Sequence, residues 1–306
     1  MHEMEKILTE AHDNEQRLLN QFNSPEKIDF DGDALEVTDI APENLKTNTV
    51  TLVVPGFSAT PEALKDAIIR IAQTGRRVVS VKAPHGIDAI KRKAELPEAE
   101  ARKLEALLQV IEKKGIDKMN VIANSEASIY VTAAATLSPE KFENIVFIEP
   151  AGLIGKDNFL DLLKRFVQDL REQVRQDKLK QKVKYPSRTS LGATTILSDL
   201  FASTKEINAI AHSDITEALK KIHKQGIGIS IIHAVDDKVF PMERVGEMVT
   251  RDMIDGFYSV QGTHNSIFLY EPFGRAAELA LGALEKKKES QKAKNLPTSQ
   301  AENQKL

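Results

Sequence analysis

The chain has 306 residues, of which 41% are hydrophobic, so it can bury one large core, or a core and a smaller cap. Its formal net charge is −3 and charged residues make up 28%, a balance without the basic excess that nucleic-acid binding needs. The sequence contains no cysteine, which excludes disulfides, thiolate catalysis and cysteine-ligated metals.

The N-terminal segment MHEMEKILTEAHDNEQ is charged throughout and lacks the apolar stretch of a secretory signal. No uncharged apolar run approaches the ~18 residues that cross a bilayer, so we expect a cytoplasmic protein with no transmembrane segment and no nucleic-acid partner. Residues 1–24 predict a polar amphipathic helix that ends before Ser24-Pro25. The segment Ile28–Val37, with Asp31-Gly32-Asp33 between short apolar pieces, predicts a hairpin at a sheet edge.

After Pro42, apolar runs of strand length alternate with helical patterns. The predicted strands are Val50–Val54, Val78–Val81, Met119–Ala123, Ile145–Ile148, Ile227–Ala234 and Phe257–Val260. The predicted helices are Ala63–Gln73, Glu98–Lys113, Ser125–Leu137, Ile215–Lys224, Met242–Ile254 and Phe273–Glu285. Continuous apolar strands between helices predict an α/β fold with a mostly parallel sheet and helices on both faces.

The interval 151–225 contains no convincing strand, and a structureless loop of that length is improbable in a compact domain. It contains an amphipathic helix, NFLDLLKRFVQDLREQVRQ, whose apolar residues recur at helical spacing. We therefore predict a helical cap at 151–225, inserted into a core formed by 25–150 and 226–285. A basic run, Lys178–Lys184, is most often a solvated helix face; it also raises the hypothesis of anionic substrates or a lipid headgroup. The polar residues 286–306 predict a disordered tail.

Ser125 lies at the shortest possible corner between a predicted strand and a predicted helix, in the segment NVIANSEASIYVTAAA. A strand–serine–helix corner is typical of a nucleophile elbow, where the turn lifts the hydroxyl above the sheet. Such a turn needs very small residues two positions before and two after the serine, and here these are Ala123 and Ala127. Serine before a helix is also a favoured N-cap, so this segment alone leaves two interpretations open.

The segment VPGF at residues 54–57 ends the first predicted core strand. Gly56 permits a backbone conformation in which the following N–H faces outward. That N–H and the one after Ser125 would form an oxyanion hole with two donors. The alternative is that Pro-Gly simply ends the strand and that a following Ser or Thr caps the helix beginning at Pro61.

Asp236 and Asp237 follow one predicted strand, and His264 follows the last one. The C-terminal ends of parallel strands share one edge of a sheet, so these side chains are expected at the same edge as Ser125. Among the seven histidines, His264 alone combines a strand-end loop with a position after a carboxylate. The alternatives are a pair of solvated aspartates that cap a helix and a surface histidine. Taken together, four features favour a nucleophilic serine: the Ser125 corner, the VPGF turn, the Asp236-Asp237 pair and His264.

With these segments in this order, the chain resembles the α/β-hydrolase superfamily over roughly residues 48–285. The matching segments are the oxyanion turn Pro-Gly-Phe, the elbow Ala-Asn-Ser-Glu-Ala, the cap insertion, the acid loop Asp-Asp-Lys-Val-Phe-Pro and the histidine loop Gly-Thr-His-Asn. Members of the superfamily place their triad as Ser, then Asp or Glu, then His, and this chain keeps that order. The resemblance implies an eight-stranded sheet with an inserted helical cap.

Carried over by position, the resemblance implies Ser125 as the nucleophile, His264 as the general base and Asp237 as the triad acid. The superfamily's usual spacing before a proline selects Asp237 over Asp236. Glu149, at the end of IVFIEP, is the second candidate for the acid, because some members place the acid after that earlier strand.

The backbone N–H groups of Phe57 and Glu126 match the oxyanion donors of the superfamily. The expected function is a carboxylesterase-like serine hydrolase that cleaves an ester or thioester of a small or acyl-type substrate, with no cofactor and no metal. The usual elbow has glycine where this chain has Ala123 and Ala127, which supports an alternative: a catalytically inactive protein of the same fold that binds a ligand or a partner.

Overall fold

The computed structural model describes residues 2–57, 59–84, 97–155, 157–180, 200–264 and 271–294. The strands in these residues are β1 (Glu26–Phe30), β2 (Asp33–Ile40), β3 (Val50–Val54), β4 (Val78–Val81), β5 (Met119–Asn124), β6 (Phe142–Ile148), β7 (Gly228–Ala234) and β8 (Gly256–Val260). They form one eight-stranded sheet in the order β1-β2-β4-β3-β5-β6-β7-β8. Strand β2 pairs antiparallel with β1 and β4, and the other pairs are parallel. The predicted α/β fold with a mostly parallel sheet is confirmed.

The helices lie on both faces of this sheet. They are α1 (His2–Phe22), α2 (Lys65–Gln73), α3 (Glu98–Lys113), α4 (Ala127–Leu137), α5 (Phe159–Lys180), α6 (Leu200–His212), α7 (Thr216–Lys224), α8 (Met242–Met248) and α9 (Glu271–Lys294). Successive side chains of a strand point to opposite faces, so the neighbours Val121 and Ile122 of β5 belong to two different core clusters. Helices α3, α4 and α7 pack on the first cluster, and α1, α2 and α9 pack on the second.

The first two strands form the predicted hairpin. Its turn consists of Asp31 and Gly32, which both have a positive φ, 53° and 83°. A two-residue turn needs this left-handed backbone to match the twist of its strands, and Asp and Gly are among the residues that adopt it. The preceding helix α1 buries Leu18 and Phe22 against the second core cluster.

Two predicted helix boundaries are wrong. The helix expected over Met242–Ile254 ends at Met248, because Val249 is extended, and the turn after it still buries Met253. The disordered tail expected from residue 286 is helical to Lys294. Buried Leu281 and Leu284 anchor α9 to the core, and the Lys, Glu, Gln and Ala that follow are good helix formers, so the helix propagates. Residues 295–306 lie outside the described residues.

The segment 151–225, which was expected to form an inserted cap, contributes three of the described helices. Helix α6 packs on α5 and α3, whereas α7 packs on α4 and buries Leu219 and Ile222 in the first core cluster. Helix α7 therefore packs on the core although it lies within the predicted cap, and the predicted domain limits stay a prediction. Most of the basic run Lys178–Lys184 lies outside the described residues. Among the described helices, none is both long enough and apolar enough to cross a bilayer.

Candidate active site

Ser125 occupies the corner between β5 and α4 with a φ of 51°, in the left-handed region that serine rarely adopts. Backbone bonds on both sides hold this conformation. The Ser125 N–H donates to the Ile148 carbonyl at 2.8 Å, and its carbonyl accepts from the N–H groups of Ala151 at 3.2 Å and Ser128 at 3.1 Å. A strained residue persists only when its surroundings over-determine it, which is the case here.

The hydroxyl of Ser125 does not cap α4, whose N-terminus has no side-chain cap bond. Its Oγ lies 2.9 Å from Nε2 of His264, and Ser125 is buried. The hydroxyl that bonds the corner's backbone belongs to Ser128, which donates to the Ser125 carbonyl at 2.7 Å. The cap interpretation of Ser125 therefore has no support in the hydrogen bonds of the described residues.

Gly56 lies directly against the corner. A Cβ on this residue would meet the Asn124 carbonyl oxygen at 2.7 Å and the Ser125 Cβ at 2.9 Å, so the close approach requires glycine. The Tyr130 hydroxyl donates to the Pro55 carbonyl at 3.1 Å and ties this turn to α4.

The sequence predicted two backbone donors, and both lie next to the residues of this contact between Gly56 and Ser125. The N–H of Phe57 follows Gly56, and the N–H of Glu126 follows Ser125. Neither has an acceptor among the residues that the structure describes.

His264 connects Ser125 to a buried carboxylate. Its Nδ1 lies 2.8 Å from Oδ2 of Asp237. Because a carboxylate only accepts hydrogen bonds, Nδ1 of His264 carries the proton and donates to Asp237. Nε2 is then the acceptor of the hydrogen bond from the Ser125 hydroxyl. The other carboxylate oxygen of Asp237 accepts the N–H groups of Val239 at 2.7 Å and Phe240 at 2.9 Å. These bonds fix the carboxylate, and the carboxylate fixes the imidazole.

The environment raises the pKa of His264 above its ordinary value of 6.5. Burial alone disfavours the charged ring and acts to lower the pKa. The negative charge of Asp237, its hydrogen bond to the ring and the charge of Asp169 outweigh burial. The site therefore stabilises an imidazolium.

The other two carboxyls considered from the sequence lie differently. Asp236 is half-buried and accepts a bond from Gln261 at 2.5 Å, away from the imidazole. Glu149 is fully buried, and its Oε2 lies 4.0 Å from Nδ1 of His264, beyond hydrogen-bond distance. Asp237 is therefore the carboxylate bonded to His264.

Glu149, Asp237 and His264 are the one group in the described part of the chain with three metal-ligand atoms, all within 4.8 Å of one another. Two of these atoms, Nδ1 and Oδ2, already bond each other. The bond between Asp237 and Nδ1 therefore orients the imidazole ring of His264.

Asp169 on α5 was not predicted. It is fully buried, and its Oδ1 accepts the backbone N–H groups of His264 and Lys238, each at 3.3 Å. The inserted segment thereby holds the loop that carries the histidine. The sequence contained a signal, because Asp169 lies seven residues after buried Leu162, on the face that the helix turns to the core.

A buried ionic cluster behind the corner was also not predicted; it consists of Glu100, Lys103, Glu126 and Glu206. Nζ of Lys103 lies 2.5 Å from Oε1 of Glu126 and 3.1 Å from Oε2 of Glu206. The cluster joins α3, the residue after Ser125 and helix α6 of the inserted segment. Burial and the nearby charge of Glu126 raise the pKa of Glu100 well above its usual range.

No family model and no curated protein matches the chain. Solved structures do match. A hydrolase from Pseudomonas aeruginosa PA01 has a TM-score of 0.60 at 15% identity, over 85% of this chain and 98% of that one. A carboxylesterase structure from Nitrososphaera gargenis has 0.60 at 14%, over 86% and 100%. The enol-lactonase from Burkholderia xenovorans LB400 has 0.61 at 12%, over 85% and 100%. The chain has the α/β-hydrolase fold.

Proposed function

We propose that this chain of α/β-hydrolase fold is a serine hydrolase that cleaves an ester or thioester of a small or acyl-type substrate. The observation that carries the proposal is a continuous hydrogen-bonded chain of buried side chains, with 2.9 Å from Ser125 to His264 and 2.8 Å from His264 to Asp237. Each member follows the end of a different strand, β5, β8 or β7. The esterase and lactonase names of structural neighbours agree with this class.

The proposed reaction has two steps. Nε2 of His264 takes the hydroxyl proton while Oγ of Ser125 attacks the substrate carbonyl, and Asp237 stabilises the imidazolium that forms. The N–H groups of Phe57 and Glu126 bond the oxyanion, an interaction whose loss costs roughly 10²–10³ in rate per donor. The imidazolium then protonates the leaving alcohol or thiol. Water, deprotonated by the same imidazole, hydrolyses the acyl-enzyme and restores Ser125.

The pH dependence of hydrolysis is expected to report His264. The base must be neutral to accept a proton, so kcat/KM falls as the pH drops through its pKa. Because the site raises this pKa, the midpoint of the acid limb is expected above 6.5. The measurement is kcat/KM for a p-nitrophenyl ester across the neutral range, and a midpoint at or below 6.5 contradicts the assignment.

A fluorophosphonate probe tests the function without knowledge of the natural substrate. Such a probe phosphonylates only an activated serine, with loss of fluoride, so the wild-type protein is expected to be labelled at Ser125. The control is Ser125→Ala, which should remain unlabelled. Peptide mapping identifies the modified residue. A folded wild-type protein that stays unlabelled would favour the alternative, an inactive protein of this fold that binds a ligand or a partner.

A further inference from the structure

Asp169 is a buried carboxyl that takes no part in the proposed reaction. It is fully buried and lies on α5, outside the sheet that carries the three proposed catalytic residues. Burial raises the pKa of Asp169 above its ordinary value of 3.8, because the charged form is costly to hold away from water. A buried acid of this kind is retained where its contacts compensate the cost, so those contacts indicate its role.

One oxygen of Asp169 joins two loops of the site. Its Oδ1 accepts the backbone N–H of Lys238, the residue after Asp237, and the backbone N–H of His264 itself, each at 3.3 Å. A carboxylate acceptor strengthens such bonds, and burial keeps away the water that would compete for them. The oxygen therefore ties the loop of the proposed acid to the loop of the proposed base.

Two further residues of α5 hold neighbouring parts of the site. Arg165 lies four positions before Asp169, on the same face of the helix, and its Nε donates to the Val239 carbonyl at 3.0 Å. The ring of Phe166 contacts the ring of Phe57 edge to face, with 6.1 Å between the centroids. The loops of the acid and the base and the turn of a proposed oxyanion donor thus all contact one short stretch of α5, residues 165–169.

We propose that Asp169 is a positioning residue of the hydrolase: by bonding the backbones of Lys238 and His264 with one oxygen, it sets the distance between Asp237 and the imidazole. The inference rests on the proposed function and deepens it. Without that oxygen the two loops separate, and the bond of 2.8 Å from Nδ1 of His264 to Asp237 is lost. The imidazole then loses the orientation and the tautomer that accept the serine proton.

The experiment compares Asp169→Leu with Asp169→Asn by kcat and KM for a p-nitrophenyl ester. Leucine removes the acceptor, whereas asparagine keeps an oxygen that can accept the same two N–H groups. We expect Asp169→Leu to lower kcat on the order of 10²-fold, the cost of displacing a catalytic group by about 1 Å, with little change in KM. Asp169→Asn should lose no more than about tenfold, since it gives up only the charge of the acceptor.

The matched control is Asp161→Leu, the same change at an exposed position of the same helix, which should leave kcat as in the wild type. Circular dichroism checks that each variant is folded, and Asp169→Ala replaces Asp169→Leu if the latter is not. A kcat of the folded Asp169→Leu protein within a few-fold of the wild type would overturn the proposal. So would an Asp169→Asn protein as impaired as Asp169→Leu, because the oxygen would then not be what matters.

A second readout does not depend on hydrolysis. The low-field NMR resonance of the Nδ1 proton of His264 reports its hydrogen bond to Asp237 directly. We expect this resonance in the wild type, in Asp169→Asn and in Asp161→Leu, and its loss in Asp169→Leu. An unchanged resonance in a folded Asp169→Leu protein contradicts the proposal, because the bond then forms without Asp169.

The fluorophosphonate probe separates this inference from the proposed function. If the folded wild-type protein is not labelled at Ser125, the proposed function fails, whatever the resonance shows. If labelling occurs and the Asp169 variants behave as the wild type does, this inference alone fails.

Discussion

Ser125→Ala is expected to lower kcat/KM for a short p-nitrophenyl ester by ~10³ or more while the protein stays folded. The reason is that the attacking oxygen, 2.9 Å from the proposed base, is removed, whereas the backbone bonds that hold the corner remain. Any residual rate would come from binding and the oxyanion donors.

The control for this variant is Ser290→Ala on α9, where the hydroxyl is exposed and bonds the Lys286 carbonyl. It should hydrolyse the ester as the wild type does. Circular dichroism should give similar unfolding midpoints for both variants. A Ser125→Ala protein that retains activity within a few-fold would remove Ser125 as the nucleophile.

Lys103→Met is expected to lower the free energy of unfolding by about 3–5 kcal/mol, the usual cost of leaving a buried charge without its partner. The side chains of Lys103, Glu126 and Glu206 are 4%, 1% and 2% exposed, so water cannot replace the lost ammonium. Burial acts to lower the pKa of Lys103, but the surrounding carboxylates outweigh it and raise the pKa, which keeps the lysine charged.

Urea unfolding measures this loss, and Lys220→Met is the matched control. Lys220 pairs with Glu217 one turn away on α7, where solvent screens the pair, so its midpoint should not change. Lys103→Met should also reduce hydrolysis, because Glu126 supplies a proposed oxyanion donor. A Lys103→Met protein as stable as the wild type would show that the cluster contributes nothing to folding.

Hydrophobic patterns predicted the architecture because the parallel strands are short segments made mostly of apolar residues. The predicted ends of β3 to β8 differ from the observed ones by at most three residues, as at β6, which begins at Phe142 and was expected from Ile145. The same logic predicted that Ser125, Asp237 and His264 lie at one edge of the sheet. Their distances could not be predicted, because these depend on β5, β6, β7 and β8 lying side by side in parallel register.

The unpredicted features share one physical cause: charged groups in the core. Asp169 and Lys103 lie on the buried faces of amphipathic helices, where a charge is ordinarily a fault in the pattern. Their partners are distant in sequence: 95 residues separate Asp169 from His264, and 23 separate Lys103 from Glu126. No local pattern identifies such a partner. Glu149 likewise has a left-handed backbone, with a φ of 51°, and its N–H donates to the Ile232 carbonyl of the neighbouring strand β7.

The sequence separation of 139 residues between Ser125 and its histidine has a consequence for biosynthesis. A ribosome completes the corner between β5 and α4 long before it adds the last two strands. During that interval the nascent chain carries the serine hydroxyl without an imidazole to take its proton. Under the proposed mechanism, a partly translated polypeptide would lack the base that activates Ser125, and the serine would become reactive only when β7 and β8 join the sheet.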